Sequence, residues 1–132
     1  MDLEIFKIAS YTKYNKDISK HTHKIKLKNS MCGDEIQIKL IIKKNKIVDF
    51  GYQGDTCVYC QASASLLSKT SIQKDKDKIN ELCDDAELFF DKKNETFTEK
   101  WVSFKKLFKK DNLSRKDCIL LPFKALKKIV TT

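Results

Sequence analysis

Three short runs of the chain alternate hydrophobic and polar residues, which is the pattern of antiparallel strands. The clearest run covers residues 35–42, where one face carries only aliphatic side chains: Ile36, Ile38, Leu40 and Ile42. A shorter run covers residues 23–28, and a third covers residues 47–52 after a polar turn at residues 43–46. Alternation with a period of two predicts strands that bury one face. The three runs therefore predict a three-stranded antiparallel meander.

Several other segments show the helical period. Small residues follow Cys57 and predict a helix over residues 57–69 that lies close to the sheet. A second helix is predicted over residues 75–90, where apolar residues share one face. At the N-terminus the pattern predicts a helix over residues 3–14, followed by a polar linker over residues 15–20.

The last third of the chain contributes two more predicted helices. The first carries large apolar residues at helical spacing, which we expect in the core: Trp101, Phe104, Leu107 and Phe108. The second follows Cys118 and places Pro122 in its first turn, where a missing N–H group costs nothing. Together these elements predict an α+β fold in which a small three-stranded antiparallel sheet packs against about four to five helices.

Length and charge bound the class of protein. A chain of 132 residues with 41% hydrophobic residues has the size of one domain, which we expect to span residues 1–132. The 27 Lys and Arg residues against 18 Asp and Glu residues give a net charge of +9, which suits nucleic acid, a membrane surface or an acidic partner. Arg115 is the only arginine and the lysines are mixed with acids, so no nucleic acid partner is expected.

The apolar segments and the cysteines indicate the compartment. No apolar run reaches membrane-spanning length and the N-terminus lacks the core of a signal peptide, so we expect a cytoplasmic protein with no membrane partner. The chain has five cysteines, an odd number. In a reducing compartment such thiols act more often as ligands or reactive groups than as disulfide bridges.

Cys32 and Cys57 are predicted to be neighbours because of the meander. Cys32-Gly33-Asp34 precedes the second strand and Cys57 follows the third, and two strands joined by a tight turn bring their outer ends side by side. Gly33 permits a tight turn, and Asp34 offers an oxygen ligand two residues from a thiol. Cys57 also stands at a helix start, where unpaired N–H groups and the helix dipole favour a thiolate.

Cys118 extends this set of candidate ligands. It precedes a predicted helix, so the same terminal effect favours its thiolate. Three thiolates and one carboxylate form a complete tetrahedral set for zinc or for one end of an iron–sulfur cluster: Cys32, Asp34, Cys57 and Cys118. The spacing alone leaves open whether Cys118 folds back onto the other three residues.

The remaining cysteines and the histidines have less distinctive positions. Cys60 lies one helical turn after Cys57, so it is either an auxiliary ligand or a thiol packed between helices. Cys83 shares the apolar face of a predicted helix and is expected in the core. His21 and His23 stand near the first strand, and we expect them at the surface because nothing connects them with the cysteines.

The order of these motifs resembles that of a known family. Cys32-Gly33-Asp34, a strand pair, Cys57 with Gln61-Ala62-Ser63-Ala64-Ser65, and then Arg115 and Cys118 before a helix are similar to the SufU, IscU and NifU N-terminal family of iron–sulfur cluster assembly scaffolds. The resemblance covers roughly residues 30–130, whereas residues 1–29 match poorly. The long gap before Cys118, and Asp117 where IscU proteins have histidine, are closest to the SufU branch.

This resemblance implies a SufU/IscU-like fold and a specific chemistry. It implies that Cys32, Asp34, Cys57 and Cys118 bind a transient [2Fe-2S] cluster, iron or, alternatively, zinc. Cys57 and Cys118 become candidate acceptors of persulfide sulfur from a SufS/IscS-like cysteine desulfurase. The cluster would then pass to apo iron–sulfur acceptor proteins. The protein would be a scaffold and sulfur carrier rather than an enzyme.

Two alternatives remain open from the sequence. In the first, the protein is a zinc-dependent sulfurtransferase that resembles the Gram-positive SufU proteins and accepts persulfide sulfur from a cysteine desulfurase. In the second, it is a basic zinc module that binds nucleic acid. IscU proteins carry a chaperone-recognition motif before the third cysteine, and Leu120-Leu121-Pro122-Phe123 follows Cys118 instead, so no dependence on that chaperone is expected.

Overall fold

The computed structural model describes residues 3–131 and has an α+β fold. Its strands are β1 (His23–Lys28), β2 (Glu35–Lys43) and β3 (Lys46–Asp55). They form one antiparallel sheet in the order β1-β2-β3, so the predicted meander is confirmed. The predicted inner face is also confirmed, because Ile36, Ile38 and Leu40 are fully buried.

Lys44 and Asn45 form the two-residue turn between β2 and β3. Their φ angles are 52° and 67°, and Lys43 pairs with Lys46 across the turn. Positive φ at both central positions is typical of a type I′ turn, whose twist matches that of the flanking strands. This turn helps to set the register, and at the other end of the hairpin Glu35 lies opposite Asp55. The start of β2 is therefore held beside the end of β3.

Five α-helices accompany the sheet within residues 3–131. They are α1 (Leu3–Ala9), α2 (Val58–Ser71), α3 (Lys76–Phe90), α4 (Phe97–Lys100) and α5 (Lys116–Val130), with short 3-10 helices at Val102–Phe104 and Lys110–Arg115. The Asp75 side chain caps α3 by accepting a hydrogen bond from the Lys78 N–H group at 2.8 Å. None of these helices is long and apolar enough to cross a lipid bilayer.

The N-terminal helix is shorter than the pattern predicts. It ends at Ala9, whereas apolar spacing extends the expected helix to Tyr14. Two carbonyl groups of the following segment have tertiary partners instead: Tyr11 O accepts from Ser65 Oγ at 2.9 Å, and Tyr14 O accepts from the Tyr52 N–H group at 3.0 Å. The segment after α1 is therefore tied to α2 and β3.

The prediction for the segment around Trp101 is correct about burial and wrong about the backbone, because the segment does not form one helix. Trp101, Phe104, Leu107 and Phe108 are all buried, but Trp101 directly follows α4, Phe104 ends a 3-10 turn, and Leu107 and Phe108 lie in the loop after it. Trp101 has φ −110° and ψ 69°, which ends α4, and Lys109 is extended at φ −147° and ψ 159°. The aromatic rings pack against each other, as Phe97 and Phe108 do at a centroid distance of 4.7 Å.

The last helix begins earlier than predicted. It starts at Lys116, so Cys118 lies in its first turn rather than before it, and Pro122 lies inside the helix rather than in the first turn. Pro122 has no N–H group to donate to the Cys118 carbonyl oxygen one helical turn earlier. Beside this missing bond, Ser63 Oγ of α2 donates to the Ile119 carbonyl oxygen at 2.5 Å and ties the first turns of α5 to α2.

The core lies between the inner face of the sheet and the helices. Helix α5 is at its centre and contacts β1, β2, α2 and α3. Helix α2 packs on α5 and β3 through a buried run of small residues, as predicted: Ala62, Ser63, Ala64 and Ser65. This packing brings the first turn of α5 to the sheet edge where β2 begins and β3 ends.

Candidate metal centre

Three segments bring the predicted ligands together at one end of the sheet. Cys32 and Asp34 lie in the loop between β1 and β2, and Cys57 directly precedes α2, after β3. Gly54 allows the two strands to approach closely, because a Cβ atom there would lie 2.1 Å from the Glu35 carbonyl oxygen. Cys118, on the first turn of α5, provides the third segment.

The structure brings Cys118 back to the loop between β1 and β2. One ligand atom each from Cys32, Asp34 and Cys118 lie within 4.8 Å of one another. Cys32 is exposed, whereas Asp34 is 7% and Cys118 is 4% exposed. The group therefore has two buried ligands and one that faces solvent.

Cys57 lies beside this group rather than within it. Its backbone N–H group donates to Asp34 Oδ1 at 3.1 Å, and its thiol interacts with both Asp34 and Cys118. The thiol is half-buried. All four predicted ligands thus lie in one place, with three grouped closely and the fourth next to them.

Asp34 provides the test of whether these residues fit a cation. Its Oδ2 atom is buried and has no hydrogen-bond partner within the described chain, while Oδ1 accepts from Cys57. An unpaired buried carboxylate oxygen is costly unless another group compensates it. A cation held by Oδ2 and the neighbouring sulfurs would provide that compensation, so the residues fit a metal ion or one edge of a cluster.

The pKa values of the buried thiols correct one prediction. Burial raises the pKa of Cys57; the Cys60 N–H group at the start of α2 lowers it, and the Asp34 carboxylate raises it further. Burial also raises the pKa of Cys118, and contacts with the Cys32 and Cys57 thiols add to the increase. The predicted effect of the helix terminus is present at Cys57, but burial outweighs it. In the metal-free protein both thiols are protonated at neutral pH, and a bound cation would displace those protons.

Asn29 organises the loop that carries Cys32, and the sequence analysis missed it. Its Oδ1 atom accepts from the Met31 N–H group at 2.8 Å, and its backbone pairs with Gly33 and Asp34 at 2.8 Å each. Its Nδ2 group donates to the carbonyl oxygen of Asp117 at 3.0 Å. Asn29 therefore closes the loop and ties it to the residue before Cys118. The available signal was an asparagine at a turn before Cys-Gly, which is typical of a side chain that bonds its own turn.

Arg115 is placed by an aromatic contact. Its guanidinium group lies over the ring of Tyr59 at 5.3 Å from the centroid, which joins the start of α5 to the start of α2. The contact therefore links α2, which begins directly after Cys57, with α5, which carries Cys118.

The other candidates lie outside the group of three. Cys60 and Cys83 are completely buried in the hydrophobic core, and burial raises the pKa of both thiols. His21 is exposed, and His23 is half-buried on β1 with its Nδ1 atom 2.8 Å from Thr22 Oγ1.

Comparison with known families identifies the chain. The sequence profile of the NifU-like N-terminal domain family matches residues 12–87, which is more than half of the chain and includes Cys32, Asp34 and Cys57. The chain belongs to this family. Among relatives of this NifU-like domain is the iron–sulfur cluster assembly scaffold protein IscU of Thermotoga maritima, which is 33% identical over 102 residues, or 76% of this chain and 70% of that protein.

Solved structures align with nearly the whole chain. A candidate iron–sulfur cluster assembly scaffold for the SUF system, SufU from Fervidobacterium islandicum, aligns with a TM-score of 0.86 and 26% identity over 98% of this chain and 96% of that one. A NifU-like N-terminal protein from Brucella abortus aligns with a TM-score of 0.77 over 98% of this chain and 91% of that one. At 16% identity the second likeness concerns the fold alone.

Proposed function

We propose that this NifU-like domain is an iron–sulfur cluster assembly scaffold. It collects iron and persulfide sulfur at Cys32, Asp34, Cys57 and Cys118, builds a labile [2Fe-2S] cluster as its cargo and passes the cluster to apo-proteins. The proposal depends on one observation, the convergence of the Cys32 and Cys118 thiols and the Asp34 carboxylate within 4.8 Å. The relationship to an IscU protein named as a scaffold supports it. In this role the protein is a carrier and not an enzyme.

The combination of thiolate and carboxylate ligands suits a cluster that has to be transferred to another protein. Thiolates are soft ligands that hold iron–sulfur units firmly, whereas a carboxylate oxygen is a harder and weaker ligand for them. Asp34 supplies that oxygen from a buried position, whereas Cys32 is exposed. The cargo would therefore have one weak ligand and one edge open to an acceptor protein.

Cys57 and Cys118 are the proposed sulfur acceptors. The acceptor thiol first loses its proton to solvent, which a cation bound beside it would favour. The thiolate then attacks the outer sulfur of a persulfide on a cysteine desulfurase, a new S–S bond forms, the donor S–S bond breaks and the donor cysteine leaves as a thiolate. Cys57 is half-buried and Cys118 is 4% exposed, so a donor reaches Cys57 more readily. Cys32 is exposed, so any experiment that locates the transferred sulfur must also examine this third thiol.

The same residues support a second function, that of a zinc-dependent sulfurtransferase. Three thiolates and one carboxylate satisfy tetrahedral zinc, which would keep the ligating sulfurs deprotonated. The exposed thiol of Cys32 supports the sulfurtransferase function, because a protein that donates sulfur can reach it. Cys32, Asp34, Cys57 and Cys118 would hold the zinc.

Reconstitution distinguishes the two functions. The purified protein is incubated anaerobically with ferrous iron, cysteine and the cysteine desulfurase of its own organism, and cluster absorbance and transfer to an apo-ferredoxin are followed. A chromophore that forms and moves to the ferredoxin supports the scaffold. Bound zinc, no chromophore and a rise in desulfurase turnover with sulfur on a cysteine support the sulfurtransferase.

Asp34→Ala tests the weak ligand directly. We expect a cluster that persists longer and transfers more slowly, because the exchangeable oxygen ligand is gone. Asp55→Ala is the matched control, since Asp55 is exposed at the end of β3 and should not alter cluster lifetime. An unchanged lifetime in Asp34→Ala would show that Asp34 is not a ligand.

A further inference from the structure

A groove of about 630 Å³ opens beside the candidate metal centre. It runs between the loop after β1 and one face of α5, and we call it the α5 groove. Its floor includes Leu27 and Leu121, and Met31 lines it with 80% of its surface exposed. A flexible, exposed methionine next to aliphatic side chains is a common feature of surfaces that bind protein segments.

The rim of the α5 groove is positively charged. Lys28, Lys124 and Lys128 line it and are exposed, and none of the three forms an ion pair within residues 3–131. The groove also contains Lys127 and Glu87, but Lys127 pairs with Asp84 at 2.5 Å and with Glu87 at 3.8 Å. The lysine charges that remain uncompensated favour an acidic occupant.

The position of the α5 groove connects it with the cysteines. Asn29, Ser30 and Met31 line the groove and lead directly into Cys32, which is exposed. Asp117 lines the same groove and directly precedes Cys118. A segment bound along α5 would therefore end beside the exposed thiol and next to the first turn that carries the buried one.

We propose that the α5 groove binds an acidic segment of the protein that donates sulfur to this site, with an apolar side chain of that segment against Leu27 and Leu121. The inference depends on the proposed function, because it takes the cysteine desulfurase as the donor. The lysine rim supplies the charge complementarity that directs the approach, and the apolar floor supplies the anchor. Docking there holds the donor persulfide near the cysteines, so the groove sets which protein delivers sulfur.

Charge reversal tests the groove against a matched pair of lysines. Lys124→Glu/Lys128→Glu reverses two rim charges, whereas Lys43→Glu/Lys46→Glu reverses two exposed charges at the far end of the β2–β3 hairpin. Affinity for the metal-free protein is measured by calorimetry with the purified desulfurase of the same organism, at low and high salt. We expect the groove pair to weaken binding by on the order of 10-fold or more at low salt and the hairpin pair by less than about twofold. Lys124→Gln/Lys128→Gln should give an intermediate loss, and thermal melting checks that each variant folds.

The outcomes separate this inference from the proposed function. If wild type does not bind the desulfurase at all, the proposed sulfur donor is wrong. If wild type binds and both pairs of variants lose the same affinity, the groove proposal is wrong while the donor stands. If a single-stranded oligonucleotide binds and only the groove pair loses that binding, with desulfurase affinity unchanged, the groove recognises phosphate and the proposal is overturned.

Discussion

Asn29→Asp separates the closing of the Cys32 loop from its attachment to α5. In wild type, Asn29 Oδ1 accepts from the Met31 N–H group at 2.8 Å, and Nδ2 donates to the Asp117 carbonyl oxygen at 3.0 Å. The variant keeps an oxygen that can accept from Met31 and loses the donor to Asp117. It also places a negative charge against that carbonyl oxygen. Cys32 then remains on a closed loop that is no longer tied to the helix of Cys118.

The expected magnitude follows from this one contact. Leaving a partly buried carbonyl without its donor costs about 1–3 kcal/mol. If that energy holds Cys32 beside Cys118, its loss lowers metal affinity by roughly 5- to 150-fold, since about 1.4 kcal/mol corresponds to a factor of ten. Supporting residues around metal ligands commonly show losses of about 10- to 100-fold.

The assay is competition for zinc or cobalt against a chromophoric chelator, with metal-free thermal unfolding measured in parallel. Cobalt adds a second signal, because its thiolate charge-transfer absorbance decreases when Cys32 leaves the site. Asn112→Asp is the matched control: Asn112 Nδ2 donates to the buried Leu107 carbonyl oxygen at 2.9 Å, in the turn before α5. Asn29→Ala removes both side-chain bonds and should bind metal more weakly than Asn29→Asp.

The reasoning is refuted if Asn29→Asp and Asn112→Asp lose similar stability and both keep wild-type metal affinity and cobalt absorbance. That result would mean that Asn29 supports folding only. The Asn29→Ala measurement guards against a second possibility, in which the new carboxylate of Asn29→Asp itself becomes a ligand. In that case Asn29→Ala loses affinity while Asn29→Asp keeps it, and a cobalt absorbance of Asn29→Asp that differs from wild type identifies the carboxylate as a new ligand.

Three further predictions concern the site, the sheet edge and the core. Cys118→Ser should reduce metal affinity by on the order of 100-fold or more, whereas Cys83→Ser should lower stability by about 1–3 kcal/mol and leave metal affinity unchanged. Chelator competition measures the affinity and chemical unfolding measures the stability. Full metal binding by Cys118→Ser would contradict the convergence of Cys32, Asp34 and Cys118 on one metal site. Gly54→Ala should lower the unfolding free energy by about 3 kcal/mol, because the new Cβ would lie 2.1 Å from the Glu35 carbonyl oxygen. Gly33→Ala should cost only about 1–2 kcal/mol, because its Cβ would meet open space and only the φ of +76° is unfavourable. Equal losses in urea unfolding would contradict this difference. Burial raises the pKa of Tyr52 from 10.0 to about 12, so the neutral phenol stabilises the folded state below pH 10 and that contribution is lost as the pH rises through 12. The unfolding free energy of wild type should therefore fall by about 2 kcal/mol more than that of Tyr52→Phe between these pH values, and parallel curves would exclude the phenol as the cause.

The sheet, and the cysteines that flank the β2–β3 hairpin, could be predicted from the sequence because they depend on local rules. Alternation assigned Ile36, Ile38 and Leu40 to one face, and a polar turn of the right length fixed the hairpin. Once the hairpin is fixed, the residues just outside its two ends must be neighbours. Cys32, Asp34 and Cys57 could therefore be placed together without knowledge of the remaining chain.

The rest of the site depends on tertiary contacts that no local pattern records. The return of Cys118 requires α5 to pack against β1, β2 and α2, and the sequence only suggested it through a family resemblance. Asn29 acts through a carbonyl group that belongs to a distant segment. The aromatic stretch from Trp101 to Phe108 has helical spacing because short turns also repeat every three or four residues, so burial was predictable there and backbone shape was not.

Because Cys118 lies on α5, the ligand set is complete only once α5 has packed against the sheet and α2. Cys32 and Cys57 can approach each other as soon as a hairpin forms, but Cys118 arrives only through contacts between residues far apart in the chain, which are slow to form. During synthesis, the emerging polypeptide has the hairpin well before it has the helix that completes the ligand set. A nascent or partly unfolded chain thus has an incomplete ligand set, so under the proposed function a chain could hold cargo only after α5 has packed.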